Sequence, residues 1–199
     1  MPRVSGQDGR AAILAAASRL FYEQGLEPVS IDMVAAAAGL TKRALYYHFP
    51  TKHDLVLAYL DAAGDIALVL LKKMAQTSGA PDAHPYARLL EGLRKWLKTR
   101  GFHGCVFLRA ARSYPDDLQI GQISIRHKEL TLAWLTVLAR DAGGARPDDL
   151  ALQFRLLLDG VFASDQLYDH DVLIDTAQRS LAALLAANTI KPNRKMRTS

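Results

Sequence analysis

Apolar residues recur along this chain at three- and four-residue intervals, and the recurrence predicts helices from end to end with no credible strand alternation. Ile13, Leu14, Ala17, Leu20 and Phe21 share one face of a first helix, which Gly25 ends. Ile31, Val34, Ala35 and Ala38 give a short second face, and Ser30 ahead of them is a good N-cap because its hydroxyl can accept an orphan backbone N–H of the first turn. Gly39 supplies the left-handed backbone that a sharp turn between crossing helices needs. A third helix restarts at Thr41, another N-cap, with Leu45 and Phe49 four apart and facing inward. Val56, Tyr59, Leu60, Ala63, Ala67 and Leu70 then predict a long helix over about residues 52–74, broken by the 77–85 stretch. Leu89, Leu90, Leu93, Trp96 and Leu97 predict a helix over about 86–98, followed by a short one flanked by Gly101, Gly104 and Pro115. A further long helix spans about 117–141 and closes at Gly143 and Gly144. Pro147 with Asp148 and Asp149 opens the next, and Asp171 opens the last, over about 172–187.

The third helix carries chemistry that a core element does not need. With Leu45 and Phe49 inside, Lys42, Arg43, Ala44, Tyr46, Tyr47 and His48 spread over its remaining surface. Thr41, Lys42 and Arg43 occupy the first turn, the part of a recognition helix that reaches base edges, and an arginine there can donate to guanine through two N–H groups. From Lys42 to His53 there are three formal cations, two histidines and no acid. That face attracts phosphates, and the tyrosine hydroxyls and Lys52 suit phosphate oxygens. Two short helices around a glycine, preceded by an amphipathic helix, read as a helix-turn-helix over about residues 30–49.

Here the chain resembles the TetR family (TetR/AcrR type) of bacterial transcriptional regulators. The resemblance lies in Ile13 to Ala17 with Leu20, Phe21 and Gly25, in Val34-Ala35 with Ala38-Gly39-Leu40, and above all in Leu45-Tyr46-Tyr47-His48-Phe49-Pro50 followed by Lys52 and Leu55. It covers about the first quarter of the chain. It implies an all-α fold: an N-terminal three-helix helix-turn-helix head over residues 1–53 and a larger helical ligand-binding and dimerisation body over 54–187. It further implies a homodimer on double-stranded operator DNA, with positions matching Ser30, Thr41, Tyr46, Tyr47, His48 and Lys52 meeting the DNA backbone and those matching Lys42, Arg43 and Ala44 approaching bases. Arg43 departs from the small residue many relatives carry, so a half-site sequence does not transfer.

Length and charge agree with this two-part reading. At 199 residues the chain can bury one generous core or two modest ones, and half of its residues are apolar. The net charge of +5 sits at the ends: residues 1–53 hold six Lys/Arg against four Asp/Glu, and the tail 188–199 holds four against none. That tail reads as a solubilising end before it reads as a phosphate-binding arm. The first residues lack a signal-peptide core and no apolar run is long enough to span a bilayer, so the expected compartment is the cytoplasm, with no membrane partner. A single cysteine, Cys105, excludes an internal disulfide, and its spacing to His103 and His127 matches no metal-ligand pattern. With no phosphate loop, nucleophile elbow or paired-histidine motif, neither an enzyme nor a cofactor is expected.

Two further sites are expected in the body. Phe154, Leu157, Val161, Ala177, Leu181 and Leu184 form apolar stripes on the last two helices, serving either the protomer's own core or a two-fold four-helix interface. The resemblance implies the interface. Trp96, Phe102, His103, Cys105, Phe107, Arg109, Trp134 and Phe162 bring aromatics, a cation and an imidazole to the region where the resemblance places an effector pocket, suited to a small, largely apolar organic molecule. At helical spacing each of these residues is alternatively ordinary core. The whole reads as a ligand-responsive regulator, a repressor released by its effector. The alternative is an effector-independent architectural DNA binder or helical interaction protein.

Overall fold

The structure, a computed structural model, describes residues 6–99 and 102–189. Among them the chain forms α1 (Gly6–Gln24), α2 (Ile31–Ala37), α3 (Lys42–His48), α4 (Lys52–Thr77), α5 (Pro85–Leu97), α6 (Val106–Ser113), α7 (Leu118–Asp141), α8 (Pro147–Ser164) and α9 (His170–Ala187), with no strand. The all-α expectation holds, as do the helix order and most boundaries. Gly101 and the tail beyond Thr189 lie outside the described residues.

The helices sort into two compact units, residues 1–70 with 99–129 and residues 71–98 with 130–199. These packing units are drawn along different lines from the functional division expected at residue 53, because α6 and the first half of α7 pack with the head. In the first unit α1, α2 and α3 pack on one another, and Ile13, Ala17, Phe21, Val34, Leu45, Leu55, Leu60 and Phe107 share one apolar core. The rings of Phe21 and Tyr59 meet at 5.4 Å between centroids.

In the second unit α9 packs on both α5 and α8. Tyr86 stacks on Phe154 with centroids 4.0 Å apart and planes 7° apart, and its buried hydroxyl donates to the Leu135 carbonyl at 2.7 Å. A ring of that size fills the interior, and the hydrogen bond removes the cost of burying its polar tip. Gly92 is required for close approach: a Cβ there would stand 2.6 Å from the Met74 Cβ. Outside this core Arg94 of α5 binds Glu91, Asp171 and Asp175, and Lys98 also reaches Asp171.

Two expectations at helix ends are corrected. Asp169, not Asp171, caps α9, its carboxylate accepting from the N–H groups of Asp171 and Val172, which leaves Asp171 free to pair with α5. Asn188 is no part of a solvated tail. It is buried, its amide and main chain exchanging hydrogen bonds with Ala145 and Arg146 just ahead of α8.

Candidate DNA-binding interface

The α2–α3 pair is built as its residues dictate. The Ser30 hydroxyl accepts from the Met33 N–H at 3.2 Å, and the Thr41 hydroxyl accepts from the Ala44 N–H at 3.1 Å. Between them Gly39 takes φ +67°, in the left-handed region where an L side chain is strained. Leu45 and Phe49 are buried, and the Arg10 guanidinium of α1 lies 4.9 Å from the centre of the Phe49 ring. Anchored on that side, α3 turns Thr41, Lys42, Arg43, Tyr46 and Tyr47 outward, with Tyr47 83% exposed. Ala44 and His48 are half-buried; the His48 ring meets Tyr47 edge-on at 5.2 Å and lies against Gly9, where a Cβ would come within 2.9 Å of its Nε2.

The cations of this face are not equivalent. Lys42 pairs with Asp32 of α2 at 3.0 Å, an acid that the local sequence around Lys42 does not contain. This hydrogen bond, with the attraction of the same carboxylate, raises the pKa of Lys42. Lys52 donates to the Glu27 carbonyl at 3.1 Å, and partial burial lowers its pKa. Arg43 is exposed and has no acid partner among the described residues, so its fork of donors is available to a ligand. Ser30, already engaged as a cap, remains exposed beside this surface.

Two fastenings within the first unit are not foreseen from the sequence. Thr51 and Asp54 cap α4 reciprocally: the Asp54 carboxylate accepts the Thr51 N–H at 3.0 Å while the Thr51 hydroxyl accepts the Asp54 N–H at 3.0 Å. The T-x-x-D spacing was the available signal, since it resembles a capping box. His53 then reaches Asp117 at 2.8 Å, tying the start of α4 to the start of α7. Asp117 also accepts from the N–H groups of Ile120 and Gln119, and the Ile120 bond foremost, then the contact with His53 and the Gln119 bond, hold its carboxyl below the usual carboxylate range. No local pattern announces a pair 64 positions apart.

The residues expected to line an effector pocket fall in both units. Phe102, His103, Cys105, Phe107 and Arg109 belong to the first, and Trp96, Trp134 and Phe162 to the second. Each of the first five has a packing role. The His103 N–H donates to the Tyr22 hydroxyl at 3.1 Å and its ring meets Tyr22 edge-on, while Phe107 stacks against His127. Arg109 Nη1 donates to the carbonyls of Tyr22 and His103 at 2.7 and 3.0 Å, so this arginine fastens α6 to the end of α1. Phe102 and Phe107 are buried, and Cys105 is half-buried at the start of α6.

Four of the six interface residues expected on α8 and α9 need correction. Phe154 is 0% exposed, and Val161, Ala177 and Leu181 are also buried inside the second unit, with Leu157 and Leu184 half-buried. Helical periodicity located an apolar stripe correctly, but this stripe meets α5 and the neighbouring helix within the protomer. The apolar residues left outside include Leu152, Leu156, Ala163 and Leu167 of α8 and its following turn, and Val172, Ala182, Ala183 and Ala186 of α9.

The helix-turn-helix geometry has close counterparts among known proteins. The family described as "Bacterial regulatory proteins, tetR family" matches residues 13–59, from α1 into α4. The transcriptional regulator EthR of Mycolicibacterium smegmatis is 39% identical over 167 residues, 78% of this chain and 73% of its own. This chain belongs to the TetR family. A TetR-family regulator from Streptomyces coelicolor, SCO4454, superposes with a TM-score of 0.80 at 29% identity, over 92% of this chain and 90% of its own. The transcriptional repressor KstR2 of Mycobacterium tuberculosis is 26% identical across 84% of this chain and 86% of its own. The family is one of DNA-binding transcriptional regulators with a helix-turn-helix. No helix among the described residues is long and apolar enough to cross a membrane.

Proposed function

We propose that this chain is a ligand-responsive repressor that binds palindromic operator DNA as a homodimer and is released by a small, largely apolar organic effector. The observation that carries the reading is α3 itself. It is capped by Thr41, fixed from behind by Leu45 and Phe49, and presents Arg43 without an acid partner beside Thr41, Lys42, Tyr46 and Tyr47. In this reading residues 1–53 are the DNA-binding part, Arg43, Lys42 and Ala44 approach base edges, and Ser30, Thr41, Tyr46, Tyr47, His48 and Lys52 meet phosphates. Residues 54–187 hold the effector and the partner protomer, and the cytoplasm is where such a regulator meets its DNA.

The partner face is proposed on the exposed side of α8 and α9 rather than on the buried stripe. Leu152, Leu156, Gly160 and Ala163 follow one another at helical spacing, and a Cβ on Gly160 would meet nothing within 4 Å, so close approach from outside is open there. Repression is supported by KstR2, which is named a repressor. A small-molecule effector is supported by the multidrug binding protein EbrR, solved with malachite green, which shares the fold with a TM-score of 0.67 at 23% identity. Selection of bound duplexes from a random pool tests the reading: it should yield an inverted repeat with half-sites one helical turn or a multiple apart. Recovery of single half-sites, or of no sequence, would overturn the homodimeric operator.

A further inference from the structure

The first unit holds a pocket of about 70 Å³, partly open to solvent, where α1, α4 and α6 converge. Its apolar wall is Phe21, Leu26 and Val106, and its polar lining is Tyr59, Arg109 and Ser113; Gly25 completes it, and no acid is present. Of the residues expected to form an effector pocket, Arg109 alone lines this space.

Tyr59 is 3% exposed as a whole, and its hydroxyl makes no hydrogen bond among the described residues but is not shut off from solvent. Burial raises the pKa of Tyr59, and the neighbouring Arg109 charge only partly opposes this, so the hydroxyl stays a donor at neutral pH. Arg109 directs Nη1 to two main-chain carbonyls, but no carboxylate among the described residues neutralises it. Its Nη2 lies 3.5 Å from the place that a Cβ on residue 25 would occupy, an ordinary contact distance, and Gly25 takes φ +94° at the end of α1.

We propose that this pocket is a binding site for a short-chain carboxylate of about two to four carbons. The acid group supplies the missing counter-charge to Arg109 and accepts from the Tyr59 and Ser113 hydroxyls, while the alkyl end lies against Phe21, Leu26 and Val106. Size agrees: one water needs about 10–15 Å³ measured in this way, so the space holds several waters or one small organic anion. An uncharged alcohol of equal length fits the volume but leaves the guanidinium without its counter-charge. The site shares only Arg109 with the residues expected to hold the effector, and its evidence is confined to the first unit.

The test titrates the full chain with sodium acetate, propionate and butyrate, against sodium chloride at matched ionic strength and against 1-butanol, following heat of binding and melting temperature. Saturable binding at millimolar concentration is expected for the carboxylates alone. Tyr59→Phe removes one unpartnered oxygen without disturbing packing, and should weaken propionate binding about tenfold. Val106→Phe, which fills the space, should abolish it. Equal responses to chloride or to butanol would overturn the proposal. So would a Tyr59→Phe protein that binds propionate as tightly as the parent, whether or not the Val106→Phe protein folds.

Discussion

Asp32 sets the charge that α3 presents, since it sits on the neighbouring helix and pairs with Lys42 at 3.0 Å. Both side chains are more than half exposed, so the pair adds little to stability, but it reduces the cationic field offered to phosphates. Asp32→Ala should therefore leave the melting temperature almost unchanged and steepen the dependence of log affinity on log salt by about one unit, measured by titration of operator DNA at several salt concentrations. Arg43 has the opposite role. Its fork of donors is unpaired, so Arg43→Ala should cost about 1–3 kcal/mol on the preferred operator and relax the preference at one half-site position, whereas removing a phosphate-binding side chain weakens all sequences alike. Within the packing of the first unit, Gly64 admits no side chain because a Cβ there would overlap the His127 ring. Gly64→Ala should lower stability by about 1–3 kcal/mol, read from denaturant midpoints at unchanged m-value.

At the scale of elements, caps decide where helices start, and one cap is a histidine. The His84 Nδ1 accepts from the Tyr86 N–H at 3.2 Å at the head of α5, a role that only the neutral ring can fill. Burial lowers the His84 pKa below its ordinary value of about 6.5. A group so shifted contributes stability above the ordinary value and loses it as pH falls from there towards the lower folded value. Asparagine caps without titrating. The melting temperature of the parent should accordingly fall relative to that of His84→Asn as pH is taken from 7 to 5, and parallel curves over that range would refute the neutral cap.

The whole molecule poses the question of which apolar surface is shared between protomers. Leu181 is 1% exposed and Leu156 is 63% exposed, so the same substitution at each separates interior from interface. Leu181→Glu places a charge in the core of the second unit and should unfold it or cost several kcal/mol. Leu156→Glu should leave a folded protein with native circular dichroism that sediments as a monomer and binds operator DNA at least tenfold more weakly, because one head alone reaches too few phosphates and bases. A folded dimer at micromolar concentration for Leu156→Glu would move the interface off this face of α8.

Local chemistry determined much of this protein. Helix order follows from apolar spacing, and the starts of α2 and α3 follow from Ser30 and Thr41, because a cap is a contact between residues three apart. The turn at Gly39 is equally local, and so is the family resemblance carried from Leu45 to Pro50. Only the tertiary structure decided what depends on distant partners: Asp32 beside Lys42, His53 on Asp117, Arg109 on the carbonyls of Tyr22 and His103, and Asn188 folded back onto Arg146. It also decided which apolar stripe of α8 and α9 is interior. Periodicity shows that a helix has a greasy face, whereas which of two such faces meets its own chain depends on helices that lie far away in sequence.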